Sequence, residues 1–457
     1  MYLFPIVFLA LSINLEDFFG ANPIYDLLPT ALLAYSVGKY AFVGKGEIYI
    51  GRHWNKRNVA LFAGYFAFFI ITLLRLNTGG ESQDDGMLGT VNTVVKEFLF
   101  VLFCYLYFSK ELKKGEDIGQ NIVRVFTMFV LAIAVDCLFW MSIYVFAHGS
   151  GGSLEEIEYN FILGLAGIQF EKKLIPIVAA HPNTMGMYCG ATVAMLLVFF
   201  LCVDKSKVDR FSLRLLQAAL VAGGVFIFIV DSRGTLVNSI VLAPGIVYAA
   251  FRLRRTSWVK YVILLVPVFP FIVLNLLSFL SDIGLADQLA RENENLATAN
   301  NRSIIWDACV GELRDLKPQH FFGYGANGQV AAGIDVYYNF LFPVNGMIVH
   351  NVFFQTVLDM GYVGACLYLL MLFIAMKNAQ GLATMGYRIG LCFLAFFMCY
   401  LAAGNTESTH GVYNHTYNFC VYAITMLAMV AYNEARYRQG FDAFEENKAE
   451  IKASLYV

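Results

Sequence analysis

Three polar residues, Arg233, Arg302 and His350, stand out in a chain that is otherwise strongly apolar, and their chemical types suit one reaction. Two guanidinium groups can hold a diphosphate through paired hydrogen bonds without changing their protonation state. An imidazole accepts a proton near neutral pH and is therefore a natural general base for a hydroxyl group. On one surface, these side chains would suffice to hold a diphosphate and activate a hydroxyl.

Each of the three residues also has a purely structural interpretation. Arg233, in the segment Asp231-Ser-Arg-Gly-Thr235, could reach lipid headgroups or pair with Asp231. Arg302 could be a solvated arginine at the start of an amphipathic helix. His350 stands at the edge of an apolar segment and could cap a helix or lie in an interfacial belt. Taken singly, none of them decides the function.

A second group of ionisable residues lies in or near the apolar segments: Arg75, Lys96, Glu97 and Asp136. Asp136 is the deepest, midway through the fifth segment, and intramembrane ionisable residues are functional candidates by default. An ion pair of Asp136 with Lys96 or Arg75 is an equally good interpretation. His181 stands just outside the sixth segment and could face the same cavity.

The composition places the protein in a membrane. Hydrophobic residues make up 58% of the 457 residues and charged residues 14%, and the mean hydropathy is +0.61. A soluble domain carries roughly 25% charged residues, so the chain is built for lipid. The net charge of −2 provides no basic stripe to neutralise phosphates, which argues against a nucleic-acid partner.

The cysteines do not form a framework or a metal site. Eight of the nine fall within apolar segments, and Cys309 lies in a long polar loop. No CxxC or Cys/His spacing occurs, and no cluster of carboxylates stands out. The sequence therefore predicts no disulfides, no metal and no cofactor.

The apolar segments predict an all-α polytopic membrane protein. Spans must be helical because lipid cannot satisfy exposed backbone groups, and a helix needs about 20 residues to cross. We expect one transmembrane domain over residues 1–433 and a charged cytoplasmic tail over residues 434–457. The twelve segments cover residues 2–18, 27–43, 58–75, 93–109, 122–147, 183–203, 215–230, 235–251, 259–280, 360–376, 389–404 and 415–433.

The distribution of Lys and Arg predicts the orientation of these spans. Placing both termini in the cytoplasm puts most basic residues on the inner side, in agreement with the positive-inside rule. Arg233, Arg302, His350 and five more of the seven histidines then lie outside. Residues 148–182 and 281–358 form the long external segments, and in the second we expect short helices along the outer surface rather than an independent domain.

Four motifs in residues 231–368 resemble one known family. They are Asp-Ser-Arg-Gly between two spans, Asn-Arg-Ser-x-x-Trp and Phe-Gly-Tyr-Gly in the large external segment, and His-Asn-x-Phe-x-Gln-x-x-x-x-x-Gly-x-x-Gly entering the tenth span. A weaker similarity occurs at residues 181–187. The order of these motifs, and their predicted location on one side of the membrane, resemble the O-antigen ligase and O-antigen polymerase superfamily of bacterial membrane glycan transferases.

The resemblance implies a GT-C type, metal-independent, inverting glycosyltransferase of the bacterial inner membrane. Its donor would be a glycan on undecaprenyl diphosphate, used at the periplasmic face. His350 matches the family's catalytic histidine, and Arg233 and Arg302 match its two diphosphate-binding arginines. Arg75, Lys96, Asp136 and His181 have no equally clear motif match and remain possible supporting residues.

Four functions stay open from the sequence. A ligase would transfer the completed glycan to lipid A-core during lipopolysaccharide biosynthesis, and the His-Asn-x-Phe-x-Gln segment favours this. An O-antigen or exopolysaccharide polymerase would transfer the chain to another lipid-linked repeat unit. A polyprenyl-linked glycan flippase or transporter would place functional charge near the midplane and often shows internal repeats, neither of which dominates here. A scaffold without catalysis would tolerate loss of His350.

Overall fold

The computed structural model describes residues 3–13, 23–42, 55–74, 87–113, 117–146, 153–160, 163–164, 167–173, 182–284, 302–325, 327–337, 348–407, 409 and 415–454. Each of the twelve predicted apolar segments contains a helix within these ranges. Among the described residues, seven helices are long and apolar enough to cross a membrane, or eight if one bent pair counts as a span. The chain is therefore a helical polytopic membrane protein, and the number of twelve spans stays a prediction.

The helices follow the hydrophobic pattern of the chain. The last of them runs without interruption across residue 433, so the predicted boundary between membrane domain and tail falls inside a helix and stays a prediction. In chain order the helices are α1 (Leu3–Ser12), α2 (Pro23–Phe42), α3 (Lys56–Leu74), α4 (Met87–Glu111), α5 (Ile118–Phe146), α6 (Pro182–Cys202), α7 (Arg210–Val230), α8 (Arg233–Arg252), α9 (Phe269–Asp282), α10 (Arg302–Arg314), α11 (Gln319–Phe322), α12 (Gly328–Ala331), α13 (Val352–Thr384), α14 (Ile389–Gly404) and α15 (His415–Ser454).

The ninth predicted segment, residues 259–280, is not one straight helix. A 3-10 helix over Thr256–Leu265 meets α9 at an angle of 86°. Pro267 lies in the break and Pro270 in the first turn of α9. A proline lacks the N–H that would continue the helix and disfavours helical geometry in the residue before it. Hydropathy detects the apolar length of such a segment but not its bend.

A small antiparallel sheet of β1 (Ser153–Tyr159) and β2 (Glu171–Lys173) lies in the first predicted external segment, where the all-α prediction has no strands. Asn160 follows β1 directly. Its Nδ2 donates hydrogen bonds to the carbonyl oxygens of Phe228 at 3.0 Å and Ile229 at 2.9 Å. These carbonyls belong to the last turn of α7, where a helix runs out of N–H donors, and that of Phe228 also accepts the N–H of Asp231 at 3.3 Å. The sheet region thereby fixes the end of α7.

The main core lies within the helix bundle, and α14 is buried inside it. Every residue of α14 except Ala402 is buried, and the helix packs against α6 and α13. A helix that is apolar on all faces belongs inside a larger structure. Because α14 is enclosed in this way, the turn that follows it is held in a fixed position.

Short helices are confirmed in residues 281–358 as α10, α11 and α12, and the placement of this segment outside the membrane stays a prediction. Trp306 and Cys309 of α10 pack in a small hydrophobic cluster with Phe354 and Leu358 of α13. Cys309, which the sequence placed in a polar loop, is thus buried in a helix. Since this cluster draws on α13, the described part of the segment is docked on the bundle rather than folded separately.

Helix α13 is broken near its start. Gly361 has φ 71° and ψ −177°, which interrupts the helical geometry. A break of this kind leaves carbonyl oxygens without helical partners. The glycine-rich turn after α11 supplies them, because the N–H of Tyr324 donates to the oxygen of Leu358 at 2.7 Å and that of Gly325 to the oxygen of Asp359 at 3.0 Å. The motif Phe-Gly-Tyr-Gly therefore anchors the segment that precedes α13 to the tenth predicted span.

Candidate active site

One carboxylate, that of Glu407, binds both Arg302 and His350. Its Oε1 atom accepts a hydrogen bond from Nη2 of Arg302 at 2.7 Å, and its Oε2 atom lies 2.8 Å from Nδ1 of His350. The side chains of Arg302, His350 and Glu407 are 23%, 16% and 16% exposed, so they are shielded from bulk solvent and still reachable. Hydrogen bonds with charged partners are strong in such surroundings. Two of the three predicted residues therefore meet in one cluster.

The backbone at His350 prepares the start of α13. His350 has a positive φ of 53°, and Asn351 is the N-cap residue of the helix. The Oδ1 atom of Asn351 accepts hydrogen bonds from the N–H groups of Phe353 and Phe354, both at 3.0 Å. Its Nδ2 atom donates to the carbonyl oxygen of Asn405 at 3.1 Å. The residue after His350 is thus tied to the turn that carries the shared carboxylate.

Arg302 is the first residue of α10, and a tryptophan one turn later anchors that helix. Trp306 lies four positions on and therefore on the same helix face as Arg302. Its indole Nε1–H, almost completely buried, donates to the carbonyl oxygen of Val349 at 3.1 Å. Val349 directly precedes His350. The tryptophan of the Asn-Arg-Ser-x-x-Trp motif therefore holds the arginine helix beside the histidine.

Glu407 is the site residue that the sequence analysis missed. It lies directly after α14, where its N–H donates to the carbonyl oxygen of Ala403 at 3.1 Å. A signal for it exists in the sequence. Asn405-Thr-Glu-Ser408 follows the eleventh apolar segment, and the predicted topology places it on the same side as Arg302 and His350. Without the packing of α14, however, nothing distinguishes this glutamate from an ordinary loop residue.

Arg233 begins α8 directly after a reversal of the chain. Asp231 ends α7 in the left-handed conformation, with φ 48°, and Ser232 precedes α8. The hydroxyl of Ser232 donates to Oγ1 of Thr235 at 2.8 Å and does not cap the helix. Arg233 is half-buried. A π-helical turn follows over Val237–Leu242, a feature that is frequent near functional sites.

The hydrogen bonds of Glu407 join Arg302 to His350, and Arg233 lies at the start of another helix, α8. The three predicted residues have one feature in common, because each lies at or just before the start of a helix. Arg233 and Arg302 are the first residues of α8 and α10, and His350 stands two residues before α13. The start of a helix carries partial positive charge and free N–H groups, which favour anions such as phosphate.

Asp136, the deepest predicted candidate, is held by hydrogen bonds inside the bundle, which indicates a structural role. It is fully buried in α5 and accepts hydrogen bonds from Oγ of Ser12 and from the hydroxyl of Tyr188, both at 2.7 Å. The ion pair with Lys96 suggested by the sequence is not formed among the described residues. Two hydroxyl donors satisfy this carboxylate without the desolvation of a second charge. Arg75 lies outside the described residues.

The remaining supporting candidates are Lys96 and His181. Lys96 is half-buried in α4, next to the buried Glu97. The carboxylate of Glu97 accepts hydrogen bonds from Nδ2 of Asn418 at 3.1 Å and the hydroxyl of Tyr422 at 3.2 Å, both on α15. His181 lies outside the described residues. A role for Lys96 or His181 in the site stays a prediction.

A second polar cluster lies beside the glycine-rich turn. Oε1 of Glu312 accepts hydrogen bonds from Nζ of Lys317 at 2.6 Å and from the hydroxyl of Tyr324 at 2.5 Å. Nδ1 of His320 accepts the backbone N–H of Lys317, which leaves Nε2–H to donate to Glu312 at 3.2 Å. Burial alone would raise the pKa of Glu312, but these hydrogen bonds together lower it below the ordinary value.

Across the described ranges, no group of three or more His, Cys, Asp or Glu side chains is arranged to hold a metal ion. The cluster contains the guanidinium of Arg302, and guanidiniums bind phosphate oxygens directly. The arrangement can therefore attract an anion at the helix starts and exchange a proton at an imidazole oriented by a carboxylate.

The fold and site define a polytopic helical membrane protein with an Arg–Glu–His cluster at the starts of α10 and α13. Residues 218–369 match the family described as O-antigen ligase. The matched segment begins within α7, ends within α13, and contains Arg233, Arg302 and His350, whereas Glu407 lies beyond it. The resemblance predicted from the motifs is confirmed over this segment, and it indicates a membrane glycan transferase of the O-antigen ligase or polymerase type. No curated protein matches the chain significantly.

Proposed function

We propose that the protein is an inner-membrane glycosyltransferase that moves a glycan from undecaprenyl diphosphate to an acceptor hydroxyl. Among acceptors we propose lipid A-core, which makes the protein an O-antigen ligase. The observation that carries the proposal is the shared carboxylate of Glu407. It holds Arg302, a residue suited to binding a diphosphate, next to His350, a residue suited to act as a general base. The family match over residues 218–369 supports the same reaction class.

The proton acceptor in this proposal is Nε2 of His350. Glu407 accepts a hydrogen bond from Nδ1–H, which selects the tautomer whose Nε2 has a free lone pair. Nε2 takes the proton of the acceptor hydroxyl while that oxygen attacks C1 of the donor sugar. The bond from C1 to the phosphate oxygen breaks, and undecaprenyl diphosphate leaves with the electron pair. A single displacement of this kind inverts the configuration at C1.

The two arginines stabilise the departing diphosphate in this proposal. Arg302 uses Nη2 on Glu407 and has further N–H donors available for phosphate oxygens. Arg233 adds a second guanidinium at the start of α8, where the helix dipole also favours negative charge. Charge that develops on the leaving group is stabilised best by donors already fixed in place. Guanidiniums thereby serve the role that a divalent cation has in many sugar transferases.

We propose a GT-C type topology of twelve spans with both termini in the cytoplasm and the site at the periplasmic face. The large external segment would precede the tenth span. The excess of Lys and Arg in the predicted inner loops supports this orientation. The helices found in all twelve apolar segments support the number of spans.

A transporter is less well supported than a transferase. A transporter would need functional charge near the middle of the bundle, and Asp136 is the candidate there. The hydrogen bonds from Ser12 and Tyr188 give this carboxylate a structural role instead. The residues suited to chemistry lie at helix starts.

The test uses the full-length protein in lipid nanodiscs with EDTA and an undecaprenyl-diphosphate glycan. Parallel reactions contain either lipid A-core or only further donor. The His350→Ala variant should lose about 10²–10⁴-fold in transfer rate, the usual contribution of a general base. His415→Ala, which changes a histidine at the start of another helix, serves as the matched control.

Each outcome has a defined meaning. Transfer to lipid A-core that depends on His350 supports the ligase. Lengthening glycans in the reaction without lipid A-core would show a polymerase instead. Transfer that survives His350→Ala would contradict the assigned base, and absence of transfer with either acceptor would overturn the proposed function.

A further inference from the structure

His350 has an unfavourable backbone conformation, which contacts with neighbouring residues must stabilise. His350 is not a glycine, yet its φ is 53°. Residues with a Cβ visit this left-handed region rarely and stay there only where the surrounding contacts enforce it. The direction of the imidazole follows from this conformation. The groups that fix the backbone on both sides of His350 therefore also fix its side chain.

The amide of Gln355 is bound to the backbone just before His350. Gln355 is fully buried in the second turn of α13. Its Oε1 atom accepts the N–H of Val349 at 3.1 Å, and its Nε2 atom donates to Oε1 of Gln329 at 2.8 Å and to Oδ1 of Asp359 at 2.9 Å. A backbone N–H can only donate, so the orientation of the amide is determined by Val349. Both polar atoms of the Gln355 amide are thus hydrogen-bonded.

The same network extends into the glycine-rich turn. Oδ1 of Asp359 accepts the N–H of Gly328 at 2.8 Å in addition to the bond from Gln355. The side chain of Gln329 is also fully buried. Gln355 therefore joins the break in α13, the turn docked on it and the peptide that leads into His350.

We propose that Gln355 is a positioning residue that keeps the imidazole of His350 directed at Glu407. With the indole of Trp306 on its carbonyl and the amide of Gln355 on its N–H, Val349 has both polar backbone groups bound. Neither of the two peptide groups that meet at Val349 can rotate without breaking one of these buried bonds. This inference rests on the proposed function, because it assigns the glutamine of the His-Asn-x-Phe-x-Gln motif a role in transfer.

The role differs from that of a residue which merely stabilises α13. The start of that helix already has its own cap in Asn351. An apolar side chain would fill the position of Gln355 without desolvating an amide, whereas only a polar one satisfies the N–H of Val349. The side-chain amide of Gln355 is thus needed to bind the N–H of Val349 and not to stabilise the helix itself.

The experiment measures kcat and KM for the undecaprenyl-diphosphate glycan with the full-length protein in nanodiscs. Gln355→Met preserves length and volume but removes the hydrogen bonds. Thr356→Val is the matched control, since it deletes a buried hydroxyl on the next residue that bonds only within the helix, to the carbonyl of Val352. Gln355→Asn, which is too short to reach Val349, replaces the methionine variant if that one does not fold.

We expect Gln355→Met to lower kcat about 10- to 100-fold, as small displacements of a catalytic group do, with KM changed less than about twofold. Thr356→Val should behave as wild type. The variant Glu407→Gln provides a second readout, because it acts on the same imidazole. The combined Gln355→Met and Glu407→Gln protein should lose much less than the product of the two single effects.

Two results would overturn the inference while the proposed function stands. One is a Gln355→Met enzyme with the kcat of Thr356→Val. The other is a loss that multiplies fully with that of Glu407→Gln and accompanies a lower melting temperature, which a purely structural role would produce. If the wild-type protein transfers no glycan in the same assay, the proposed function fails, and the role of Gln355 fails with it.

Discussion

Arg302 and His350 bind opposite oxygens of one carboxylate, with Nη2 to Oε1 at 2.7 Å and Nδ1 to Oε2 at 2.8 Å. The two residues belong to different helix starts, and the carboxylate of Glu407 joins their side chains. With His350 neutral, the charges of Arg302 and Glu407 balance. Once the imidazole has taken up a proton, the cluster carries one positive charge beside the diphosphate. Proton uptake and leaving-group stabilisation are therefore linked in the proposed mechanism.

The first prediction concerns Glu407. In Glu407→Gln the new amide can present N–H to Nδ1 of His350 and so favour the tautomer with a proton on Nε2, which cannot act as the base. We expect kcat to fall about 100-fold or more, by analogy with the loss caused when a histidine is held in the wrong tautomer. The donor KM should change little. Steady-state kinetics in nanodiscs measure both parameters.

The control for this prediction is Glu434→Gln, which changes a carboxylate paired with Arg438 on α15. Its transfer rate should match that of the wild-type protein. A Glu407→Gln enzyme with wild-type kcat would show that the carboxylate does not orient the base.

The second prediction separates charge from geometry at the two arginines. Arg233→Lys and Arg302→Lys keep the positive charge but lose the planar fork that matches two phosphate oxygens. We expect each to lower kcat/KM about 100-fold, the order of loss for one transition-state donor. Arg388→Lys is the matched control, since its guanidinium donates to the carbonyl oxygen of Cys202 at 3.0 Å. If only Arg302→Lys loses activity, Arg233 does not belong to the diphosphate site.

The third prediction concerns the break in α13. Gly361 has φ 71° and ψ −177°, a region open essentially only to glycine, and a Cβ there would collide with the backbone of Phe321. Gly361→Ala should therefore destabilise the fold by at least about 1–3 kcal/mol, the usual cost of such a backbone conformation. Gly224→Ala is the control, because a Cβ at that position in α7 meets open space. Thermal unfolding in detergent compares the variants, and equal melting temperatures would contradict the role of the break.

The fourth prediction is a pH dependence of stability from Glu312. The pKa of this carboxyl is lowered from its ordinary value of 4.5, because the hydrogen bonds from Lys317, Tyr324 and His320 outweigh its burial. A lowered pKa stabilises the fold above the ordinary value, and this stabilisation is lost as pH falls through the lower folded-state pKa. Glu312→Gln should therefore melt below the wild type at neutral pH, and the difference should shrink below pH 4.5. A difference that is constant with pH would contradict the ionised cluster.

Several structural features were predictable because they depend on local sequence. The helices in the twelve apolar segments follow from runs of apolar residues alone. The short helices in residues 281–358 follow from helix-permissive sequence such as residues 302–315. The bend between Thr256–Leu265 and Phe269–Asp282 is different, because hydropathy is averaged over a window and does not record direction.

The sequence by itself determined that the protein is a helical membrane protein, and through four ordered motifs it determined the O-antigen ligase resemblance over the segment that holds Arg233, Arg302 and His350. Only the tertiary structure decided that Arg302 and His350 share the carboxylate of Glu407. It also decided that Asp136 is satisfied by hydroxyl groups. The physical reason is that apolar length and residue type are properties of consecutive residues, whereas a shared hydrogen-bond partner depends on how separate helices pack.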